Sequence, residues 1–527
     1  MTLFPSFESY DLFIALIFGI TTYVAFFYFK YFTSSRRLPG PIPFPIIGNL
    51  ETYYVDDIIK VAADMQSKYG DIWEIRQGSE RHVWICRADF AAKLLNPAYT
   101  NNNYLLRTTE NEGLDLMDLT TKGMIYNRDI DGWISNREFV RQILVSPKFL
   151  RHATNETTKL FAEMETYWSE LGPETELNLI DWMMRFMTDS TFITVTNERV
   201  YALANYYNKI PNSKGASHPA ALLHESEKFV NCVRSHFMAT LFFKDTNKYL
   251  WKLYPPYRRK SKKLLSDVAW LYEKVHEIIK ERRKEIRNLS PEELSEDILT
   301  LMLVSNNGVN DDTTKQIAED QVQSTLYEVI GGGIDTTSNS FCYVVYYLAH
   351  YPEVKEKMMK EIESVFEDVN DPITYENLKK LNYCEAIIKE ASRIMPTVSV
   401  LFRVNDKADD IEGHHFDPST LFKIYVQGIH LHEARAHWKN PKEFDPDRFF
   451  GSNAKSVQRN SLLPFGGGSR ICPGKQLSML QMKQLMVLLY RKYDVELVDM
   501  DAPIKFVSSV VNHCEELPVR IRLKKLE

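Results

Sequence analysis

The sequence predicts an α+β protein, mainly α: one large helical domain with a small β-sheet region, preceded by a single transmembrane helix. Three observations lead there. Residues 264–287 and 352–366 place apolar side chains three and four apart among paired charges, as amphipathic helices do. β-like runs are short and few: Ile72-Trp73-Glu74-Ile75-Arg76 with Val83-Trp84-Ile85, a run at 421–426, and Val519-Arg520-Ile521-Arg522-Leu523 near the end. Residues 12–29, LFIALIFGITTYVAFFYF, are eighteen uncharged and largely apolar positions.

Eighteen residues just reach across a bilayer. A cleavable signal peptide fits less well, because no Lys or Arg precedes the run and its aromatic end lacks a small-residue cleavage site. Glu8 and Asp11 precede it, whereas Lys30, Arg36 and Arg37 follow. The positive-inside bias therefore puts everything after Lys30 in the cytoplasm. Pro39, Pro41, Pro43 and Pro45 come next; four prolines in seven residues forbid helix and favour a stiff, extended segment. This gives an anchor at 1–30 with the span at about 12–29, a Pro-rich hinge at 31–50, and a catalytic domain at 51–527.

The chain of 527 residues has no repeat and no low-complexity tract, so one large domain is compatible with its length. A net charge of -6 gives no reason to expect nucleic acid. The six cysteines are scattered, without the clustering of a disulfide framework or a zinc site.

One cysteine stands apart. It lies in Pro464-Phe465-Gly466-Gly467-Gly468-Ser469-Arg470-Ile471-Cys472-Pro473-Gly474. Three consecutive glycines let backbone approach something flat and bulky, and Arg470 supplies a cation beside the thiol. Pro473 occupies the place of a first helical residue, which puts Cys472 at a helix N-terminus, where free N–H groups favour a thiolate. An isolated buried structural cysteine is the plain alternative. Against it, Phe465, Gly468, Arg470, Cys472 and Gly474 match at every spacing the haem-binding loop of the cytochrome P-450 family, which this stretch resembles.

The resemblance extends along the chain. Gly332-Gly333-Ile334-Asp335-Thr336-Thr337 resembles the family's oxygen-activation motif, with Gly332 where alanine is commoner. Each of Gly331, Gly332 and Gly333 costs a helix between Ala318 and Tyr347 about 1 kcal/mol relative to alanine, unless close approach requires it. Passage over a porphyrin would supply that requirement. Val329 and Gly332 share a helical face with Thr336 and should border the same pocket. Glu390-Ala391-Ser392-Arg393 matches the family's Glu-x-x-Arg, and Phe444-Asp445-Pro446-Asp447-Arg448-Phe449 resembles the segment whose Arg448 completes a buried network behind the haem loop. Trp133 and Arg137, four apart on one helix face, resemble the pair that converges on a haem propionate, with Arg470 a further candidate.

The resemblance implies a haem-dependent monooxygenase with haem b bound through the Cys472 thiolate, which favours O–O cleavage. It implies electrons from an NADPH-dependent reductase, since the chain has no flavin or nicotinamide motif of its own. It further implies a lipophilic substrate drawn from the membrane, and Asp335 and Thr336 organising proton delivery. Residues 397–401 and 100–127 are the expected pocket walls, and 150–300 carries no readable chemistry. The expected location is the endoplasmic reticulum membrane, single-pass, with the catalytic domain on the cytoplasmic side. Two other classes stay open: a haem-thiolate isomerase or dehydratase that rearranges a peroxide without a reductase, and a non-enzymatic membrane haem sensor. The Asp335-Thr336 pair argues against both, because neither needs proton delivery.

Overall fold

The computed structural model describes residues 9–34, 37–49, 58–78, 80–211, 213–219, 225–306, 319–431, 438–508 and 511–524. Glu8, Arg36 and Ala318, used in the sequence reading, lie outside these.

The apolar N-terminal run forms the helix Ser9–Thr33. Its segment Leu12–Thr33 has a mean hydropathy of 2.1, and apart from Tyr31 near its end it is not buried against the rest of the protein. Among the described residues it is the one helix long and apolar enough to cross a membrane. The proline-rich segment that follows runs along the sheet: the Glu74 N–H donates to Pro39 O at 2.8 Å, and Leu38 is buried.

The axis of the helical body is the 32-residue helix Glu319–His350. It packs most extensively on Leu179–Thr196, and also on Ser226–Asp245, Pro255–Ile286, Asn382–Ile394 and Lys475–Lys492. Leu179–Thr196 has almost no solvent face, because nearly every residue is buried, among them Met183, Met184, Phe186 and Phe192. Its polar side chains are buried with partners, as Arg185 is with Asp181 and Glu227. The two amphipathic expectations appear as Pro255–Ile286 and Pro352–Val365. Burial of this shared core is what holds the glycines of Glu319–His350 in helix, since packing outweighs propensity.

Three expected strands join an unexpected one, Val400–Val404, in a four-stranded sheet in the order Ile72–Gln77, Glu80–Ile85, Leu421–Tyr425, Val400–Val404. The second and third strands pair in parallel and the others antiparallel. Trp73 and Trp84 stack across the first pair with ring centroids 5.7 Å apart. The tail strand Pro518–Leu523 lies between Leu177–Asn178 and Tyr493–Leu497 in a second sheet. A hairpin of Lys505–Val507 and His513–Glu516 rests on the central helix and on Leu179–Thr196. The expected fold class is the one observed.

Candidate active site

The cysteine loop is closed by its own backbone. The Cys472 N–H donates to Phe465 O at 2.9 Å and the Ile471 N–H to Gly468 O at 3.1 Å, while the Ser469 N–H ties the loop to Asn96 O at 3.0 Å. Gly468 has φ +68°, and a Cβ there would stand 2.5 Å from Leu95 O, so only glycine fits. The helix expected to start at Pro473 instead starts at Lys475, with Gly474 at its N-cap. Proline and Gly474 make a turn first, because the chain must leave the loop before its N–H groups can align. Cys472 thus sits just ahead of the helix. Burial raises its thiol pKa, and the Gly474 N–H, Arg137, Arg107 and Lys475 oppose that rise. The thiol is accessible although protein surrounds it, because it opens on an internal cavity whose wall it forms.

Thr336 lines the same cavity, as do Val329, Gly332 and Gly333. The Thr336 hydroxyl donates to Gly332 O at 2.7 Å. A Cβ on Gly332 would meet nothing within 4 Å, so that stretch of the central helix presents bare backbone to the cavity. Gly333 has a different reason: its Cβ would lie 3.3 Å from Thr191 Oγ1, so its smallness serves helix packing. Asp335 does not share the cavity with Thr336. Its buried carboxylate accepts from Asn339 Nδ2 at 3.1 Å and lies 3.2 Å (Oδ1) and 3.0 Å (Oδ2) from His513 Nδ1. The bond geometry favours Oδ1 and leaves Oδ2 buried without a hydrogen bond.

Four arginines rim the cavity: Arg107, Arg137, Arg403 and Arg470. None has a carboxylate ion pair among the described residues, and backbone carbonyls hold them instead. Arg470 lies over the Trp133 ring at 3.5 Å. Burial, and after it the charges of Arg107, Arg403 and Arg137, push the Arg470 pKa down to about 7. Burial with Arg107 and Arg137 drives Arg403 well below its ordinary value. A guanidinium does not give up its proton in a protein. These groups therefore call for an anion, and among the described residues the only carboxyl acting on Arg107 and Arg470 is that of Glu328, which forms an ion pair with neither. Arg137 Nε is also buried without a partner among the described residues. A flat group bearing two carboxylates, with one face toward Cys472 and the other toward Gly332 and Thr336, satisfies this donor set. Haem fits. Trp133, expected to share the task, stands behind the wall, its indole N–H donating to Met124 O at 3.0 Å.

Glu390 and Arg393 form a fully buried bidentate pair at 2.6 and 2.8 Å, and Arg448 Nε reaches Glu390 Oε1 at 3.2 Å. Arg393 also donates to Pro441 O at 2.6 Å. His430 couples this network to the cysteine loop. Burial, then Arg393, drives its imidazole down to about 3, so it is neutral. Its Nδ1 lies 3.1 Å from Arg393 O, and its Nε2 accepts from the Leu463 N–H at 2.8 Å.

Sequence reading missed Arg107, Arg403, His430, Glu328 and His236. Arg403 had a visible signal, a charge inside the apolar strand Val400–Val404. Glu328, an acid one turn before Gly332, had a similar one. It accepts from the Met124 and Ile125 N–H groups, fastening the segment at 123–127 to the central helix. Gly123, with φ +75°, is the only residue type that fits beneath it, since a Cβ would fall 2.7 Å from the carboxyl.

A helical body around a cysteine loop, a bare helix backbone and an arginine rim defines a haem-thiolate class of oxidoreductase. The family model for cytochrome P450 matches residues 38–518, and the chain belongs to that family and is a monooxygenase. The match begins at residue 38, where the proline-rich segment joins the sheet. The chain is 26% identical over 510 residues to cytochrome P450 3A12 of Canis lupus familiaris, covering 94% of this chain and 92% of that protein. It is 25% identical over 474 residues to aromatase 3 of Sus scrofa, covering 88% and 84%. To (+)-vincadifformine 19-hydroxylase of Catharanthus roseus it is 23% identical over 489 residues, covering 90% and 89%.

Proposed function

We propose that the protein inserts one oxygen atom from dioxygen into a lipophilic organic substrate, using haem b ligated by Cys472 and electrons from an NADPH-cytochrome reductase. One observation carries this reading: a thiol and a threonine-bearing, side-chain-free helix segment line one cavity, rimmed by four arginines that form no carboxylate ion pair among the described residues. Bound haem supplies the oxygen activation and the oxidation itself.

The chain's own residues bind, orient and protonate. Gly474 N–H, Arg137 and Arg107 favour the Cys472 thiolate. Arg107, Arg137, Arg403 and Arg470 would hold the two propionates, and Gly332, with nothing within 4 Å of a Cβ, would leave room for the group beside the helix. Thr336 Oγ1 passes a proton toward the cavity. Asp335, beside the cavity wall but not part of it, orients that route with His513. Val329, Val400, Leu401 and Phe402 give an apolar chamber that excludes water and suits a substrate entering from a membrane.

The same reading makes Ser9–Thr33 a single-pass anchor in the endoplasmic reticulum membrane, with the catalytic domain on the cytoplasmic side, where a reductase can dock. The test is reductase-supported NADPH oxidation against a panel of lipophilic compounds, with the carbon monoxide spectrum of the ferrous protein. Wild type should give the red-shifted Soret band of thiolate ligation and NADPH-dependent product, and Cys472→Ser should lose both. Product formed from a peroxide without NADPH would make the protein an isomerase or dehydratase. A retained band in Cys472→Ser would remove the ligand assignment.

A further inference from the structure

The helix Ser226–Asp245 forms part of the cavity wall through His236, Phe237 and Thr240. His236 is buried against Tyr327, which lies about 13 Å along the central helix from Thr336. Its Nδ1 is hydrogen-bonded to the Tyr327 hydroxyl, and the rings meet edge-on with centroids 4.8 Å apart. Burial drives the imidazole down to about 4 and the phenol well above its ordinary value, so both are neutral near pH 7.

A neutral imidazole carries one N–H, and the pairing decides where it is. If the phenol donates to Nδ1, both groups are satisfied. If Nδ1 carries the hydrogen, the phenol O–H is stranded in a buried site, since Tyr327 has no other hydrogen-bond partner among the described residues. The first arrangement prevails and leaves the hydrogen on Nε2. That nitrogen has no partner among the described residues, and it belongs to a side chain that lines the cavity. Thr240, one turn on and on the same face, donates its hydroxyl hydrogen to His236 O at 3.0 Å, so its oxygen offers lone pairs. The chamber wall they share carries apolar Phe237, Val329 and Phe402, with Glu328 and Arg107 among its charged members.

We propose that His236 and Thr240 form a specificity-determining anchor for a substrate bearing a carbonyl or hydroxyl oxygen at the end remote from the oxidised carbon. His236 Nε2–H donates to that oxygen, and Thr240 Oγ1 accepts from it when it is a hydroxyl. The inference rests on the proposed function in taking the cavity for the substrate chamber. A hydrocarbon filling the same space would leave the N–H unpaired, which is the arrangement that discriminates most strongly between ligands of one shape.

The experiment is equilibrium dialysis of the haem-loaded, full-length protein, which needs neither turnover nor reductase. The probes are two skeletons, each as hydrocarbon, ketone and alcohol: 5α-androstane, its 3-one and its 3β-ol, and dodecane, 2-dodecanone and 2-dodecanol. In His236→Phe the ketone and alcohol of at least one skeleton should bind about tenfold more weakly, with the hydrocarbon unchanged. His236→Gln keeps an N–H donor and should recover most of the loss. Tyr327→Phe frees the ring to carry its hydrogen on Nδ1. It should weaken the ketone more than the alcohol, because a bare Nε2 still accepts from a hydroxyl. Equal weakening of hydrocarbon and oxygenated probes, no change in His236→Phe, or no binding of any oxygenated probe by wild type would overturn the anchor. Oxygen-selective binding without reductase-driven turnover would instead remove the proposed function and leave the anchor standing.

Discussion

His513 Nδ1 lies 3.0 Å from the Asp335 carboxylate, and neither residue lines the cavity that Thr336 lines. Successive helical residues point about 100° apart, so two neighbours in sequence serve two environments. Asp335 is held by Asn339 and the His513–Glu516 hairpin, and Thr336 by the carbonyl of Gly332.

This division predicts different phenotypes for the two neighbours. Thr336→Ala should keep haem and substrate binding but divert reducing equivalents to peroxide, seen as a fall in product per NADPH. Asp335→Asn should slow turnover by on the order of 10²-fold, the low end of what positioned proton transfer contributes. His513→Ala should follow Asp335→Asn, and not Thr336→Ala. Normal coupling and rate in all three variants would remove this route.

The buried network behind the loop predicts a folding phenotype. Glu390→Ala leaves Arg393 and Arg448 as like charges in a buried site, a loss of about 3–5 kcal/mol by the behaviour of broken buried pairs. Arg393→Ala should cost as much, and it should also strip the His430 carbonyl of the guanidinium that donates to it at 3.2 Å. Haem content per purified protein is the readout, and little should load. Full loading in Glu390→Ala would reduce the network to packing without consequence.

Glu328 predicts a pH dependence with a definite sign. Burial lifts its carboxyl from 4.5 to about 7, against the Met124 and Ile125 N–H groups and the charges of Arg107 and Arg470. Between those values the folded protein keeps a proton that the unfolded chain has lost. Stability therefore falls as pH rises from about 4.5 to about 7, and it is level above that. The full effect is about 3 kcal/mol, or about 3 °C in Tm for a chain of this size. Glu328→Gln should flatten the Tm profile across that window by this amount. An unchanged profile would mean the carboxyl titrates normally.

Topology has its own reporter. Asn155-Glu156-Thr157 and Asn288-Leu289-Ser290 both fit the N-glycosylation pattern. Thr157 is fully buried within the helix Pro147–Leu171, whereas Asn288 is exposed just beyond Pro255–Ile286. Asn288 is the informative site. With the catalytic domain in the cytosol it should carry no glycan, and protease added to sealed microsomes should digest the domain. A glycosidase-sensitive mass shift, or a protected domain, would reverse the topology and exclude a cytosolic reductase.

By itself, the sequence determined what depends on short-range chemistry. An uncharged apolar run of eighteen residues specifies a helix that can span a bilayer. The Gly466-to-Gly474 spacing around Cys472 specifies a loop, because positive φ at Gly466 and Gly468 is a local requirement. Glu390 and Arg393 sit one turn apart, so their pairing was legible too. Tertiary structure alone decided which side of each element faces the cavity. Periodicity places Asp335 and Thr336 on different faces of the helix, but only the packing of Leu179–Thr196 and the His513–Glu516 hairpin shows which face meets solvent, core or ligand. The same holds for Arg107, Arg403 and His430, whose partners lie tens to hundreds of residues away in the chain. Their roles come from burial, which turns an ordinary arginine into one that needs an anion and an ordinary histidine into a neutral link. A sequence records the identity of such a group, and folding sets the dielectric and the neighbours that give it work.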